Sequence, residues 1–373
     1  MALAGFDAAD FLRNYWQQKP LLIRQGLPGY RCPIDGNDLA GIACEDDAEA
    51  RLVAGKDSVW QLRNGPFDEE DFTDLPASHW TLLVQRVDHW VEEIADLIGE
   101  FDFLPQWRIE DVMVSYAVTG GGVGPHFDRY DVFLIQGSGR REWRIGQHCS
   151  ESDNLMEDQP LRLLHDFQER ERHVLEPGDI LYIPPGVAHW GSALDDECIT
   201  LSIGFRAPSL NQILERWFDT LSSKLNEDQR YRDIQSTLDA GQQLTDAHIE
   251  QLQSLLKGPL NDREALLQSF GELITEPAGD YLPQSGPREV PAAAVARALD
   301  SRMTLYCGEP RNLLFSNGMS LAVTPEAAPL LAEICECPPG GVIKAQLWTA
   351  LLKASPQAAS FLLSTGTVLS DPD

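Results

Sequence analysis

The chain has 373 residues, enough for two or three domains, and its 43% hydrophobic and 23% charged residues are typical of a globular protein. The net charge of −29 disfavours binding to a phosphate backbone and suits a basic protein partner, although acidity can also serve solubility alone. No apolar run approaches the roughly 20 residues of a membrane span, and we expect no signal peptide. Seven scattered cysteines indicate reduced thiols, so we expect a cytoplasmic protein.

The first part of the chain is predicted to begin with short elements and to continue as a strand-rich region. Residues 11–18 are expected to form a helix, residues 21–23 a strand, and the apolar spacing of residues 80–98 predicts a longer helix. Between residues 111 and 206 the pattern changes to short strands separated by Gly and Pro turns, which is typical of an all-β barrel or jelly roll. The segments with strand character are 111–118, 131–137, 141–146, 173–185 and 198–205.

Beyond Pro208 the apolar residues take helical spacing. Two stripes, within residues 213–225 and 249–256, predict amphipathic helices, and the first contains the large side chains of Trp217 and Phe218. A short helical appendage cannot fully bury such groups within itself, so we expect this region to form a homodimer. The alternative is that the two helices pack back against the barrel.

The C-terminal part of the chain carries a hairpin signal, Asn317-Gly318, between two predicted strands, with short helices from Pro325 onward. Two strands with two or three helices resemble a winged-helix unit. Because this unit contains few basic residues, we expect a structural or protein-contact role and no direct nucleic-acid binding. The expected domains are residues 1–208, 209–280 and 281–373.

Two motifs in the strand-rich region carry candidate metal ligands. Residues two apart on a strand share a face, so His126 and Asp128, which follow the glycine cluster of residues 120–124, can converge on one point inside a barrel. His189, which follows a strand and the turn Pro184-Pro185-Gly186, supplies a third ligand. Two imidazoles and one carboxylate form the facial triad of non-haem Fe(II) oxygenases, which leaves positions open for a cosubstrate and oxygen.

Each half of this constellation has a purely structural alternative. His189 can cap the turn that precedes it, and Asp128 has Arg129 and Arg140 as nearby ion-pair partners. A lone His-x-Asp is also weak evidence in a chain this acidic. The presence of both halves, in order and in strands, favours metal binding over these alternatives.

The spacing of the two halves resembles the paired motif of the cupin superfamily. In this chain the motif is Gly120-x5-His126-x-Asp128 followed by Gly178-x5-Pro184-x-Gly186-x-x-His189. The carboxylate of Asp128, where many cupins have a histidine, resembles the JmjC-type 2-oxoglutarate oxygenases. Ala193 stands where many small cupins carry an asparagine, which argues against that group.

Longer segments resemble the bacterial ribosomal oxygenases over residues 10–208, and the remainder resembles them in layout only. These segments are FLRNYWQQKPLLIR, GGGVGPHFDRYDVF, GRREWRIG, LEPGDILYIPPG and SIGFRAP. The resemblance implies an α+β protein with a double-stranded β-helix of the cupin/JmjC jelly-roll type, a helical dimerisation segment and a winged-helix-like C-terminal domain. It also implies Fe(II), 2-oxoglutarate and O2, and hydroxylation of an arginine on a basic large-subunit ribosomal protein, number sixteen.

A 2-oxoglutarate enzyme needs a buried cation for the distal carboxylate of its cosubstrate. On the strand of residues 141–146, Arg141 shares a face with Trp143, whereas the opposite face has a mixed charge that suits solvent. Arg141 is therefore the inward candidate, and the resemblance places the carboxylate anchor at this position. Ser115, on the strand before the glycine cluster, is the expected hydroxyl partner. The alternative is that Arg141 forms an internal salt bridge.

The substrate is expected to meet the strand that carries Ser115. Alternation places Met113 and Asp111 on the same face, with Asp111 at the pocket mouth. A carboxylate there can hold a guanidinium, and Tyr130, two residues beyond Asp128, can stack on its plane. The alternative for Asp111 is a solvated strand start.

Several functional hypotheses follow from these residues. The first is an Fe(II)- and 2-oxoglutarate-dependent protein hydroxylase, acting on an arginine or, as in related eukaryotic oxygenases, on a histidine of a different ribosomal protein. The second is a non-oxygenase metal-binding cupin, and the third is an inactive scaffold that binds ribosomal protein through its acidic surface. The carboxylate of Asp128 and the inward Arg141 favour the first.

Overall fold

The computed structural model describes residues 3–56, 59–150, 155–156, 160–226, 228–239, 243–277 and 295–370. The chain divides into two compact units, one of residues 1–207 with 338–340 and one of residues 208–337 with 341–373. Within the described ranges, every helix is too short or too polar to cross a membrane.

The first unit is built mainly from strands. Its helices are α1 (Ala8–Asn14), α2 (Gly36–Ala43) and α3 (Glu92–Leu97). Its strands are β1 (Leu21–Ile23), β2 (Ala50–Lys56), β3 (Val59–Asn64), β4 (Trp80–Val84), β5 (Ile109–Ala117), β6 (Val132–Ser138), β7 (Arg141–His148), β8 (Glu171–Leu175), β9 (Ile180–Ile183), β10 (Val187–Ala193) and β11 (Cys198–Phe205).

These strands form two antiparallel sheets that face each other. The larger sheet has the order β1-β9-β6-β11-β5-β4-β2-β3, and the smaller has the order β10-β7-β8. Apolar side chains from both sheets meet between them in one cluster: Val132, Leu134, Trp143, Ile145, Leu175, Leu181, Ile183 and Val187. The opposite face of the larger sheet packs under the helices in a second, larger core. The space between the sheets is therefore the interior of the barrel that the strand pattern predicts.

Strand alternation assigns each residue of β5 to one of these two sides. Val112 and Val114 are fully buried in the core under the helices. Asp111, Met113 and Ser115 consequently point toward the barrel interior, because neighbouring residues on a strand face opposite ways. The register with β11 pairs these three residues with Gly204, Ser202 and Thr200.

The prediction of one helix over residues 80–98 is wrong in its first part. Residues 80–84 form β4, which pairs with β2 on one side and β5 on the other. Helix appears only further on, in α3 and in short 3₁₀ turns on either side of it. The apolar residues at 80, 83 and 84 have helical spacing, but so short an apolar run is equally compatible with a buried strand, and the pairing with two neighbouring strands decides the outcome.

Two smaller differences concern the ends of elements. The helix expected over residues 11–18 runs over Ala8–Asn14, because the side chain of Asp7 caps its start by accepting a hydrogen bond from the Asp10 amide at 3.0 Å. The turn before His189 leads into a further strand, β10, so His189 lies inside a strand rather than at the end of a loop.

The second unit begins with helices and continues as small sheets and helices. In chain order its elements are α4 (Leu210–Lys224), α5 (Gln235–Leu238), α6 (Asp246–Leu260), α7 (Arg263–Thr275), β12 (Val295–Arg297), β13 (Met303–Tyr306), β14 (Asn312–Ser316), β15 (Met319–Val323), α8 (Ala328–Cys335), β16 (Val342–Ile343), α9 (Ala345–Ala354), α10 (Pro356–Ser364) and β17 (Val368–Ser370). The predicted hairpin is confirmed: Asn317 and Gly318 both have positive φ, at 44° and 77°, as a tight two-residue turn requires.

Candidate active site

His126 and His189 are held together by the main chain. The amide of His126 donates to the carbonyl of His189 at 3.0 Å, and the reverse bond measures 2.8 Å. This antiparallel bridge brings the two imidazole centroids to 4.3 Å. The two candidate metal ligands are thus placed side by side before any ion is considered.

Asp128 completes the cluster from the same segment as His126. Its Oδ2 lies 3.5 Å from Nε2 of His189, and its carbonyl accepts a hydrogen bond from the amide of Gly186 at 2.7 Å. One ligand atom from each of His126, Asp128 and His189 lies within 4.8 Å of the other two. The structure therefore brings all three predicted ligands to one point, with His189 only 2% exposed.

The second nitrogen of each imidazole is already occupied. Nδ1 of His126 lies 3.0 Å from the carbonyl of Gly124, and Nδ1 of His189 lies 3.0 Å from the carbonyl of Val187. These bonds direct Nε2 of both rings toward the cluster. Burial, reinforced by the neighbouring His126, lowers the pKa of His189 to about 4, so this imidazole is neutral and can act as a ligand. Two imidazoles and a carboxylate match the donor set that Fe(II) oxygenases use.

Arg141 lies inside the barrel without an anion. Its side chain is 5% exposed, and its Nε and Nη2 are buried with no hydrogen-bond partner among the described residues. Arg141 also forms no ion pair with any of the described residues. The alternative, that Arg141 forms an internal salt bridge, is therefore not supported among these residues. Because a buried cation is destabilising unless it is paired, this position is suited to a carboxylate from outside the protein.

Trp143 lies beside Arg141 and reaches the histidine cluster. Its ring centroid is 5.7 Å from the Arg141 guanidinium carbon and 5.8 Å from the His189 ring. Gly191, opposite it on β10, makes room for the indole, because a Cβ there would come within 2.7 Å of the ring. The indole Nε1 is a second buried donor without a partner in the described residues. Sequence reasoning placed Trp143 on the inner face but gave it no role.

Ser115 is buried on the interior face of β5. Its hydroxyl donates to the carbonyl of Thr200 on β11 at 3.4 Å, which is a long hydrogen bond. Met113, two residues earlier, is partly buried and pairs with Ser202. Both residues lie where strand alternation predicts, on the wall of the interior.

Asp111 is held by specific contacts and is not a freely solvated strand start. Its Oδ2 accepts the amide of Arg86 at 3.1 Å. The side-chain amide of Gln85 lies between Asp111 and Arg51. In the orientation that satisfies both residues, its nitrogen donates to Asp111 Oδ2 at 3.2 Å and its oxygen accepts from Arg51 Nη2 at 3.0 Å. This chain of contacts fixes the carboxylate at the edge of the interior.

Tyr130 stands between two carboxylates. The charge of Asp128, then burial, then the charge of Asp111 raise the pKa of its hydroxyl. Its side chain is nevertheless 43% exposed, so part of the ring is accessible from solvent. The structure therefore brings the predicted pair of Asp111 and Tyr130 together beside the ligand cluster. Arg51 and Gln85 were missed, because β2 and the end of β4 were not recognised as strands.

Comparison with known proteins supplies the family. A family model of the JmjC domain matches residues 96–213, and one of the AraC-like ligand binding domain matches residues 164–274. The chain is 40% identical over 274 residues to the ribosomal protein uL16 3-hydroxylase of Escherichia coli, a match that covers 72% of this chain and 71% of the relative. The chain belongs to the JmjC ribosomal oxygenase family.

Further relatives and a solved structure support the same family assignment. A probable ribosomal oxygenase of Haemophilus influenzae is 40% identical over 272 residues, which cover 71% of this chain and 67% of the relative. The solved structure of YcfD, a ribosomal oxygenase from Escherichia coli, in complex with cobalt and 2-oxoglutarate superposes with a TM-score of 0.81 at 31% identity and covers 98% of both chains. The JmjC/cupin fold expected from the sequence is confirmed. As a JmjC ribosomal oxygenase, the protein is a 2-oxoglutarate-dependent hydroxylase that uses Fe(II) and O2.

Proposed function

We propose that this oxygenase hydroxylates an arginine side chain of the large-subunit ribosomal protein number sixteen, uL16. The observation that carries the choice of arginine is the fixed carboxylate of Asp111 beside the ring of Tyr130. A guanidinium can pair with such a carboxylate and stack on such a ring. A basic ribosomal protein also suits the net charge of −29, and from such a partner we infer a cytoplasmic reaction.

His126, Asp128 and His189 would hold the iron. The three ligand atoms lie within 4.8 Å of one another, and the occupied Nδ1 atoms of the histidines orient the rings. Bound Fe(II), with 2-oxoglutarate and O2, supplies the oxidising power to replace an unactivated C–H bond by C–OH. The role of the protein is to hold these ligands in fixed positions and to bury His189 away from water.

Arg141 would hold the distal carboxylate of 2-oxoglutarate. Its Nε and Nη2, which have no hydrogen-bond partner among the described residues, supply donors in a fixed geometry, and the carboxylate would supply a counter-charge. Ser115, whose hydroxyl now makes only a long bond to Thr200, can turn to the same carboxylate. Nε1 of Trp143, which also has no partner within the described part of the chain, is a further donor beside Arg141.

Asp111, Met113 and Tyr130 would bind the substrate side chain. Asp111 would fix the guanidinium end, Tyr130 would cover its plane, and the flexible Met113 would pack along the aliphatic stem. In this arrangement the carboxylate determines which carbon of the side chain reaches the reacting centre. Asp111 is therefore the proposed determinant of position as well as of affinity.

The decisive experiment is mass spectrometry of ribosomal proteins after incubation with enzyme, Fe(II), 2-oxoglutarate and O2. We expect uL16 to gain the mass of one oxygen atom, located by fragmentation on an arginine. A gain on a histidine of a different ribosomal protein would establish the alternative substrate. No gain on any ribosomal protein would refute the proposal.

We further propose that residues 209–280 make a homodimer. Within the chain, α4 and α6 leave many large apolar side chains exposed, with Leu210 at 71% and Phe218 at 69% exposure. The others on these two helices are Leu214, Ile249, Leu252, Leu255, Leu256 and Leu260. Such a surface is typical of a protein–protein interface, and a second copy of the chain would cover it symmetrically.

The remaining proposal concerns domain organisation. We propose a catalytic domain of residues 1–208, the dimerisation region of residues 209–280, and a winged-helix-like domain of residues 281–373. The hairpin of β14 and β15 followed by α8, α9 and α10 supports the winged-helix interpretation. The proposed boundary at residue 280 lies outside the described residues.

A further inference from the structure

The larger sheet of the first unit carries an open cleft of about 740 Å³ on the side that faces away from the candidate active site. Leu82, Tyr116 and Ile199 line it and belong to the core beneath the helices. Tyr116 follows Ser115 on β5 and faces the opposite way. It also lies five residues beyond Asp111, about 17 Å along the strand. The cleft is thus distinct from the pocket of the histidine cluster.

Aromatic side chains form the walls of this cleft. Trp80 and Tyr116 lie with ring centroids 5.7 Å apart and planes at 42°. Both are fixed by their polar atoms, because Trp80 Nε1 donates to the carbonyl of Pro76 at 2.7 Å and the Tyr116 hydroxyl donates to that of Asp196 at 2.9 Å. Tyr30 also lines the cleft. Fixed aromatic faces of this kind attract cations.

The hydroxyl of Tyr30 is a polar group without a partner. It is buried, and none of the described residues gives it a hydrogen bond. Burial also raises its pKa, so it stays a neutral phenol that can both donate and accept. Buried hydroxyls are almost always hydrogen-bonded, so an unpaired one beside an open cleft indicates a ligand group that would complete it.

Carboxylates surround the same cleft. Asp35, Asp38 and Glu197 line it, against the single cation Arg31 among the described lining residues. The capping box at the start of α2 uses one oxygen of Asp35 and one of Asp38. After burial, the charge of Glu197 makes the largest contribution to raising the pKa of Tyr116, followed by Asp196 and Asp35. The electrostatic environment therefore favours a positively charged occupant.

We propose that this cleft is a docking site for an arginine side chain of a basic protein segment, separate from the reaction site. A guanidinium is planar, stacks on aromatic rings and has enough donors for two carboxylates and a phenol at once, whereas an ammonium cannot stack. The inference rests on the proposed function, which supplies a basic ribosomal protein as partner. The field of a chain with net charge −29 would bring such a segment to the surface.

The binding test uses hexa-arginine as the probe and the indole N–H signal of Trp80 in NMR as the readout, assigned with Trp80→Phe. Glu197→Gln should weaken binding about two- to fivefold, as expected for a partly exposed ion pair. Tyr30→Phe should weaken it about two- to tenfold, as expected for one hydrogen bond. Glu93→Gln, the same charge change at an exposed residue of α3 outside the cleft, should leave affinity unchanged.

Three results would overturn the proposal. A Trp80 signal that does not move shows that the cleft does not bind the probe. Equal losses from Glu93→Gln and Glu197→Gln show that only the overall charge attracts the peptide. Equal affinity for hexa-lysine contradicts the assignment to arginine. Tyr30→Phe should not lower the melting temperature, because the hydroxyl it removes has no hydrogen-bond partner among the described residues, so a loss of affinity cannot be ascribed to unfolding.

Catalysis separates this proposal from the proposed function. Glu197→Gln and Tyr30→Phe should leave kcat/KM for a short uL16 peptide unchanged and raise KM for full-length uL16, because only the full-length protein can reach both sites. Unchanged KM for the full-length protein counts against the docking site. Absence of hydroxylation with the wild-type enzyme would instead refute the proposed function. The binding of hexa-arginine measured at Trp80 does not depend on that result.

Discussion

The main-chain amides of His126 and His189 each donate to the carbonyl of the other, so one backbone bridge carries two of the three candidate iron ligands. The imidazoles themselves contribute nothing to that bridge. Their replacement therefore removes ligands without removing the hydrogen bonds that bring the two segments together. Because the backbone positions the two residues and the imidazoles serve as ligands, the ligands can be tested by mutation without disrupting the backbone bridge.

Alanine at His126, Asp128 or His189 should abolish 2-oxoglutarate turnover with little loss of fold, since each change removes one of three ligands. Succinate formation and far-ultraviolet circular dichroism measure the two effects. His165→Ala is the matched control, because His165 is exposed and stands outside the cluster. If all three variants still form succinate in an iron-dependent way, the ligand assignment is wrong.

Arg141→Ala should raise the apparent cosubstrate requirement by orders of magnitude. Removing one partner of a buried charge pair typically costs about 3–5 kcal/mol, and here the pair exists only when 2-oxoglutarate is bound. Titration of 2-oxoglutarate against the initial rate of succinate formation measures the change. Arg144→Ala, on the opposite face where Arg144 pairs with Glu142, should have little effect. Unchanged cosubstrate affinity in Arg141→Ala would point to Arg140 or another cation.

Asp111→Asn keeps the shape of the side chain and removes its charge. Hydroxylation should fall about ten- to hundredfold, the equivalent of a charge-assisted hydrogen bond of about 1.5–3 kcal/mol. Uncoupled decarboxylation of 2-oxoglutarate should persist, because the iron ligands and Arg141 are unchanged. Hydroxylated peptide and succinate are measured in the same reaction. Wild-type hydroxylation in this variant would remove the physical argument for an arginine substrate.

Phe218→Asp should convert a dimer into a monomer, because it places a charge among the exposed apolar side chains of α4. Light scattering over a range of concentrations measures the mass. Asp219→Asn, at the exposed neighbouring position, is a control that should leave the dimer intact. A wild-type mass equal to one chain at every concentration would contradict the dimer.

The sequence allowed the barrel and the ligand cluster to be predicted because both depend on local, period-two patterns. His126 and Asp128 share a face by alternation, and Arg141 is distinguished from Arg140 in the same way. The sequence did not show that the larger sheet continues beyond β5 through β4, β2 and β3. Residues 80–84 form a short apolar run that suits either a helix or a buried strand, and only their pairing with β2 and β5 decides between them.

The contacts that depend on this extension were missed with it. Gln85 follows β4 and reaches Asp111, and Arg51 on β2 reaches Gln85. Trp143 was missed for a different reason: its Nε1 has no hydrogen-bond partner among the residues that the structure describes, and this is a property of three-dimensional packing that no sequence spacing can reveal. The sequence pattern thus located the candidate ligand cluster, whereas the neighbouring residues Gln85, Arg51 and Trp143 became evident only from the tertiary structure.

His126 and His189 come from distant parts of the sequence, and that separation links iron supply to the lifetime of the protein. In an unfolded chain His189 is far from His126 and Asp128, so the complete set of three ligands would form only in the folded state, and the ion would favour that state. Free iron at about a hundred times its dissociation constant would then raise the free energy of unfolding by about 2.7 kcal/mol. In a cell short of iron, the oxygenase would accordingly be inactive and would also be degraded sooner.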